Sequence, residues 1–123
     1  MPARFNMQRY YDTLLEEDRG QFHVIVDKTW EDLHPKDCFD DAVTDIQEIC
    51  EKIDRGSLDW FMLRCRVFYE GVELASDYIG GFLYEDAREI LTDGVAEDII
   101  EDTIRQAREA AVEMKAKFEA LTV

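Results

Sequence analysis

Residues 60–79, WFMLRCRVFYEGVELASDYI, alternate apolar and polar positions with a period of two, and that alternation decides the fold. Phe61, Leu63, Cys65, Val67 and Tyr69 share one side of an extended strand. Arg64 and Arg66 fall on the other side, with Trp60, Met62 and Phe68. Glu70 and Gly71 supply the two residues of a tight turn, and VELASDYI returns as the partner strand of a hairpin. Gly80-Gly81 interrupts that second strand and reads as a bulge.

Outward from the hairpin the period changes to that of helices. In FDDAVTDIQEICEKIDRG, residues 39–56, a helix is predicted over 40–54. Ala42, Val43, Ile46, Ile49, Cys50 and Ile53 fall within about 120° of arc, and Gly56 is a natural stop. Its apolar face should be dry, with Asp41, Glu48 and Glu51 opposite it. The final helix is predicted over about 95–120, its buried stripe being Ile100, Ile104, Ala107, Ala111, Met114 and Phe118. FLYEDAREIL, before it, reads as a short helix closed by Asp93-Gly94. QFHVIV, residues 21–26, is β-branched and aromatic and reads as a buried strand. Residues 5–18, with Phe5, Tyr10, Tyr11, Leu14 and Leu15, follow a loose helical pattern that ends near Gly20. The order predicts one α+β domain over residues 1–123, a three-stranded antiparallel sheet covered on one face by amphipathic helices.

Charge is the strongest compositional signal. Twenty-nine acids face fourteen Lys and Arg, a net of −15 over 123 residues. Residues 27–59 hold 11 acids and 4 bases, and residues 84–109 hold 9 acids and 3 bases, so two helical regions carry most of the imbalance. Part of it has a local explanation in the i, i+4 pairs Glu48–Lys52, Glu51–Arg55 and Glu101–Arg105. Asp40, Asp41, Asp45, Asp98 and Asp102 are read as unanswered by a cation of their own helix. Such a surface repels nucleic acid and anionic membranes and attracts basic partners.

Catalytic and metal chemistry find little support. His34 and Cys38 are separated by Pro35, with no second pair to complete a zinc site. His23 sits within a strand, and the carboxylates near Asp37 lack the ligand order of a calcium loop. Gly80-Gly81 lacks the spacing of a phosphate loop. The chain is read as a non-enzyme with no cofactor and no metal. No apolar run approaches the roughly 20 residues of a membrane span. The N-terminal stretch lacks a secretory pattern, and three scattered cysteines suit reduced thiols, so the expected location is cytoplasmic.

LDWFMLRCRVFYEGVELASDYIGGFLYED, followed by TDGVAEDIIEDTIRQAREAA, resembles small acidic proteins encoded by phages and prophages. The likeness spans about residues 58–110 and rests on Gly71, Leu74, Asp77, Gly80, Gly81 and Tyr84. Its motif is structural and implies no active site. In size and charge the chain is similar to phage counter-defence proteins, the inhibitors of CRISPR or restriction complexes. The resemblance implies a protein acting in the host bacterial cell on a basic nucleic-acid-binding complex. Acidic helix faces would then mimic the nucleic-acid backbone, through Asp40, Asp41, Asp45, Glu48 and Glu51 on one helix and Glu97, Asp98, Glu101 and Asp102 on the other. The alternative is a non-catalytic interaction or assembly protein that uses the Trp60/Phe68 side of its sheet, with a homodimer as one use of that face.

Overall fold

Four strands hydrogen-bond in chain order: β1 (Asp12–Arg19), β2 (Phe22–Trp30), β3 (Asp59–Tyr69) and β4 (Val72–Tyr84). All neighbours are antiparallel, in a computed structural model that describes residues 9–39 and 45–122. The α+β class is as expected, but the sheet has four strands rather than three.

The β3–β4 hairpin forms where the alternation places it. Tyr69 pairs with Val72, and the turn between them takes φ of 49° at Glu70 and 79° at Gly71. Two positive φ values make a type I′ turn, whose twist matches that of the strands it joins. At Gly80-Gly81 the register slips, between the pairs Phe61–Phe82 and Leu63–Ile79, so the glycines form a bulge without ending the strand.

Phe82, Leu83 and Tyr84 therefore remain in β4, where a helix was expected. They stay because Phe82 and Tyr84 stack on Phe61, with ring centroids 5.7 and 5.8 Å away. Only Ala87–Leu91 turns, as a short 3₁₀ segment.

The larger correction is at the N-terminal side. Residues 12–18, expected in a helix, form β1, which returns into β2 through Gly20 at φ 61°. The misleading feature is a bulge between Thr13 and Leu15. It half-buries both Leu14 and Leu15 against the core, and two adjacent apolar residues break the period of two that marks a strand.

One helix, α2 (Val95–Ala120), covers one face of the sheet. Phe22, Val24, Val26, Phe61, Leu63, Cys65 and Val67 meet Ile90, Ala96, Ile100, Ile104 and Ala107 there, all buried. The expected stripe is correct for its first half and then runs past its cover: Ala111 and Met114 are half-buried, and Phe118 is 65% exposed.

The other helix, α1 (Ile46–Asp54), leans on the 3₁₀ turn Pro35–Asp37 rather than on the sheet. Ile46, Ile49, Cys50 and Ile53 are half-buried and none of its residues is fully buried, so the dry face expected of it is only partly closed. The expected start of this helix at 40–44 lies outside the described residues. Among those described, no helix is long and apolar enough to cross a membrane.

Candidate interaction surfaces

The acids named from the sequence have unequal circumstances. Asp40 and Asp41 lie outside the described residues. Asp45 is the N-cap of α1, its side chain accepting from the Glu48 backbone N–H at 3.0 Å. That satisfies a helix-end donor and explains an aspartate without a cation. Glu48 pairs with Lys52 at 3.1 Å, as the spacing predicts.

On α2, Glu97 accepts from Arg19 of β1 at 2.8 and 2.9 Å. The guanidinium holds the Glu97 carboxyl below its ordinary range. Asp102 was expected to stand without a cation. Instead Arg105, three residues on, donates to it at 2.5 Å, with Gln106 adding a bond at 3.1 Å, and both lower its pKa. The expected partner of Arg105 was Glu101, yet Arg105 spans Asp102 and Glu109. Glu51, Asp98 and Glu101 remain exposed and make no ion pair among the described residues.

The structure adds acids that the sequence reading placed on a helix. β1 is an edge strand and carries Asp12, Glu16, Glu17 and Asp18. Acids along an edge discourage strand addition by repulsion, which is one structural use for them. Arg19 bonds Glu17 as well as Glu97, and so joins this edge to the first turn of α2. One turn beyond Glu97, Glu101 lies only about 40° further round the helix axis, so it follows the same side. Glu17 and Arg19 thus share the α2 side of the edge with the start of α2, whereas Glu16 and Asp18, paired with Ile25 and His23, point to the other side of the sheet. α1 rests on the Pro35–Asp37 turn instead.

His23 sits on that other side, between Asp18 and Glu16. Its Nδ1 lies 2.7 Å from Asp18 and its Nε2 2.7 Å from Glu16. Both ring nitrogens meet carboxylate acceptors, so the imidazolium form satisfies both, and hydrogen bonding, first to Asp18 and then to Glu16, raises its pKa.

The face of the sheet away from α2 is organised around Asp27, which is 1% exposed. It accepts from Arg64 Nε at 3.0 Å, from Arg66 at 3.3 Å and from the Thr13 hydroxyl at 3.1 Å. Tyr11 lies on the Arg64 guanidinium, 3.5 Å from ring centroid to Cζ. The arginines read from the alternation are therefore bound inward. At the other end Trp60 donates to the Leu33 carbonyl at 2.9 Å and packs 5.7 Å from Phe39, so the 31–39 loop covers it. Phe68 and Met62 are half-buried, and Tyr78 is 52% exposed.

Among the described residues no three His, Cys, Asp or Glu groups converge as metal ligands. His34 accepts from the Lys36 N–H through Nδ1 at 3.2 Å and meets the Cys50 sulfur at 3.9 Å through Nε2, not Cys38. Cys65 is buried beneath α2, and desolvation pushes its thiol pKa up, away from nucleophilic use.

No protein-family model, no curated protein and no solved structure matches this chain.

Proposed function

We propose that this chain is a phage-encoded inhibitor that binds a basic, nucleic-acid-gripping defence complex of the host, of CRISPR or restriction type, and occupies its nucleic-acid path. The supporting observation is the acidic patch in which Arg19 joins Glu17 at the β1 edge to Glu97 at the start of α2, with Asp98 and Glu101 exposed on the same helix. Carboxylates on two rigid elements present charge to Lys and Arg without the ordering cost that flexible acids incur. Asp98 and Glu101 are its outward contacts; Glu97, bound to Arg19, and Asp102, bound to Arg105, hold the surface in place. Glu51 and Glu48 on α1 form a second, smaller contact.

The experiment is capture from nuclease-treated bacterial lysate at about 50 mM and then 500 mM salt, a range over which the screening length falls about threefold. A basic nuclease or CRISPR subunit held at low salt and released at high salt is the expected catch. Wild-type protein should then displace duplex DNA from it. The Asp98→Lys/Glu101→Lys protein should bind roughly tenfold or more weakly at low salt while folding normally. Equal binding by the reversed protein, or capture that ignores salt, would overturn the reading. A salt-resistant partner lost on Tyr78→Ala would favour the second reading, an assembly role for the aromatic face, which the exposure of Tyr78 supports.

A further inference from the structure

The second half of α2 leaves the sheet. Between it and the turns at the near end of the strands runs an apolar groove of about 690 Å³, walled by Phe22, Tyr69, Val72, Leu74, Met114 and Phe118. Beside it, Phe118 is 65% exposed, Leu121 59%, Val72 51% and Tyr69 43%. Apolar side chains left open in one place mark an interface rather than ordinary surface.

Two observations say what fills it. The first is charge. Residues 110–123 contain Glu113, Glu119, Lys115 and Lys117, a net of zero in a chain of −15. Copies of this protein repel one another most over the β1 edge and the start of α2; the groove, lined by one cation, Lys115, and two acids, Glu70 and Glu119, carries far less of that charge. A basic partner is drawn to the acidic surface instead. The second is self-complementarity. The end of α2 carries both a wall of the groove, Met114 and Phe118, and an exposed apolar residue beyond it, Leu121. Lys115 lines the groove together with Glu70 and Glu119. A two-fold contact sets residue i of one copy against j of the other and j against i, so a pairing of Lys115 with the partner's Glu70 or Glu119 would be made twice.

We infer that a second copy of this chain occupies the groove, the end of each α2 lying against the groove of its partner in a two-fold homodimer. This surface is distinct from the aromatic face of the sheet and from the acidic contact proposed above, and it does not depend on that contact. The pairing leaves both acidic surfaces outward, doubling their number per particle.

Light scattering coupled to gel filtration, over about 1 to 200 µM protein, reads the mass directly. The wild-type chain should run as two copies at the upper concentrations, and about 500 mM salt should preserve or strengthen the pair, because salt screens the net repulsion. Phe118→Glu places a charge on an exposed position and should give a folded monomer. Val112→Glu alters a residue 70% exposed that does not line the groove, and should leave the dimer intact. A wild-type monomer throughout the range, a dimer undisturbed by Phe118→Glu, or dissociation by salt would each overturn the inference. So would a monomer whose groove takes up a foreign peptide or an acyl chain.

Discussion

Arg19, the last residue of β1, donates to both carboxylate oxygens of Glu97 in the first turn of α2. The pair ties the sheet's acidic edge to the helix on its other layer, and both side chains are partly open to water, 28% and 45%. Solvent screening limits its worth to about 0.5–1 kcal/mol in spite of the bidentate geometry. A double-mutant cycle with Arg19→Met and Glu97→Gln, followed by urea unfolding, should return a coupling of that size that shrinks at high salt. The pH dependence has a defined sign. The Glu97 carboxyl is depressed from its ordinary 4.5, so its contribution is present above pH 4.5 and is lost as the pH falls through the folded value. A coupling that did not weaken anywhere as the pH falls below 4.5 would remove the electrostatic account.

Asp27 should be the most sensitive polar position in the chain. It is a buried carboxylate with two guanidiniums and a hydroxyl directed at it. Removing it strands Arg64 and Arg66 without their acceptor, so Asp27→Ala should cost roughly 3–5 kcal/mol by denaturant unfolding. The two arginines should differ. Arg66 Nε is buried without a hydrogen-bond partner, whereas Arg64 Nε is bonded to Asp27. An uncompensated buried donor already weighs against Arg66, so Arg66→Met should be milder than Arg64→Met. The reverse order would refute this reading of the network.

His23 predicts a stability change as the pH rises above 6.5. Its folded pKa is raised above 6.5 by Asp18 and Glu16, so its contribution is complete below about pH 6.5 and disappears as pH rises through the folded value. The melting temperature should therefore fall across that window in the wild type and fall less in His23→Asn. Parallel profiles for the two proteins would show that the carboxylate clamp adds nothing to folding.

The parts of this molecule legible in the sequence are those where a single period persists. β3 alternates without a break over Trp60–Phe68, and α2 keeps its stripe from Ile100 to Ala107, so strand, turn and helix all lie where the pattern puts them. The reading failed where a local device disturbs the period. The bulge at Thr13–Leu15 gave β1 two adjacent leucines and a helical look. The Phe61–Phe82–Tyr84 stack kept three residues in a strand that composition assigned to a helix. Asp93, read as closing one helix, instead opens the next: its side chain accepts from the Val95 N–H at 3.0 Å and from Tyr84 Oη at 2.6 Å. Burial and that bond push Tyr84 up to about 12. At the acidic surfaces, spacing found which residues are charged but not which are engaged. Arg19–Glu97 joins residues 78 apart, and Asp45 is a cap rather than a bare charge.

The bulge in β4 gives the last prediction, because a side chain from the segment after β2 fixes it. Glu31, just beyond β2, reaches across and accepts from the Gly81 N–H at 2.6 Å. A Cβ at Gly80 would fall 2.0 Å from Glu31 Oε1, so Gly80→Ala must push that carboxylate aside and break the bond. Gly81, at φ 81°, is separately intolerant of a side chain. Gly80→Ala and Glu31→Ala should each destabilise by about 1–2 kcal/mol, the scale for a charged hydrogen bond lost. The double variant should cost no more than the larger single change, because both remove the same contact. The Gly81 amide should also exchange with solvent much faster in either single variant, which a purely steric effect of the new methyl would not require. Additive losses, with the Gly81 amide still protected in Glu31→Ala, would show that the bulge is held by strand pairing alone.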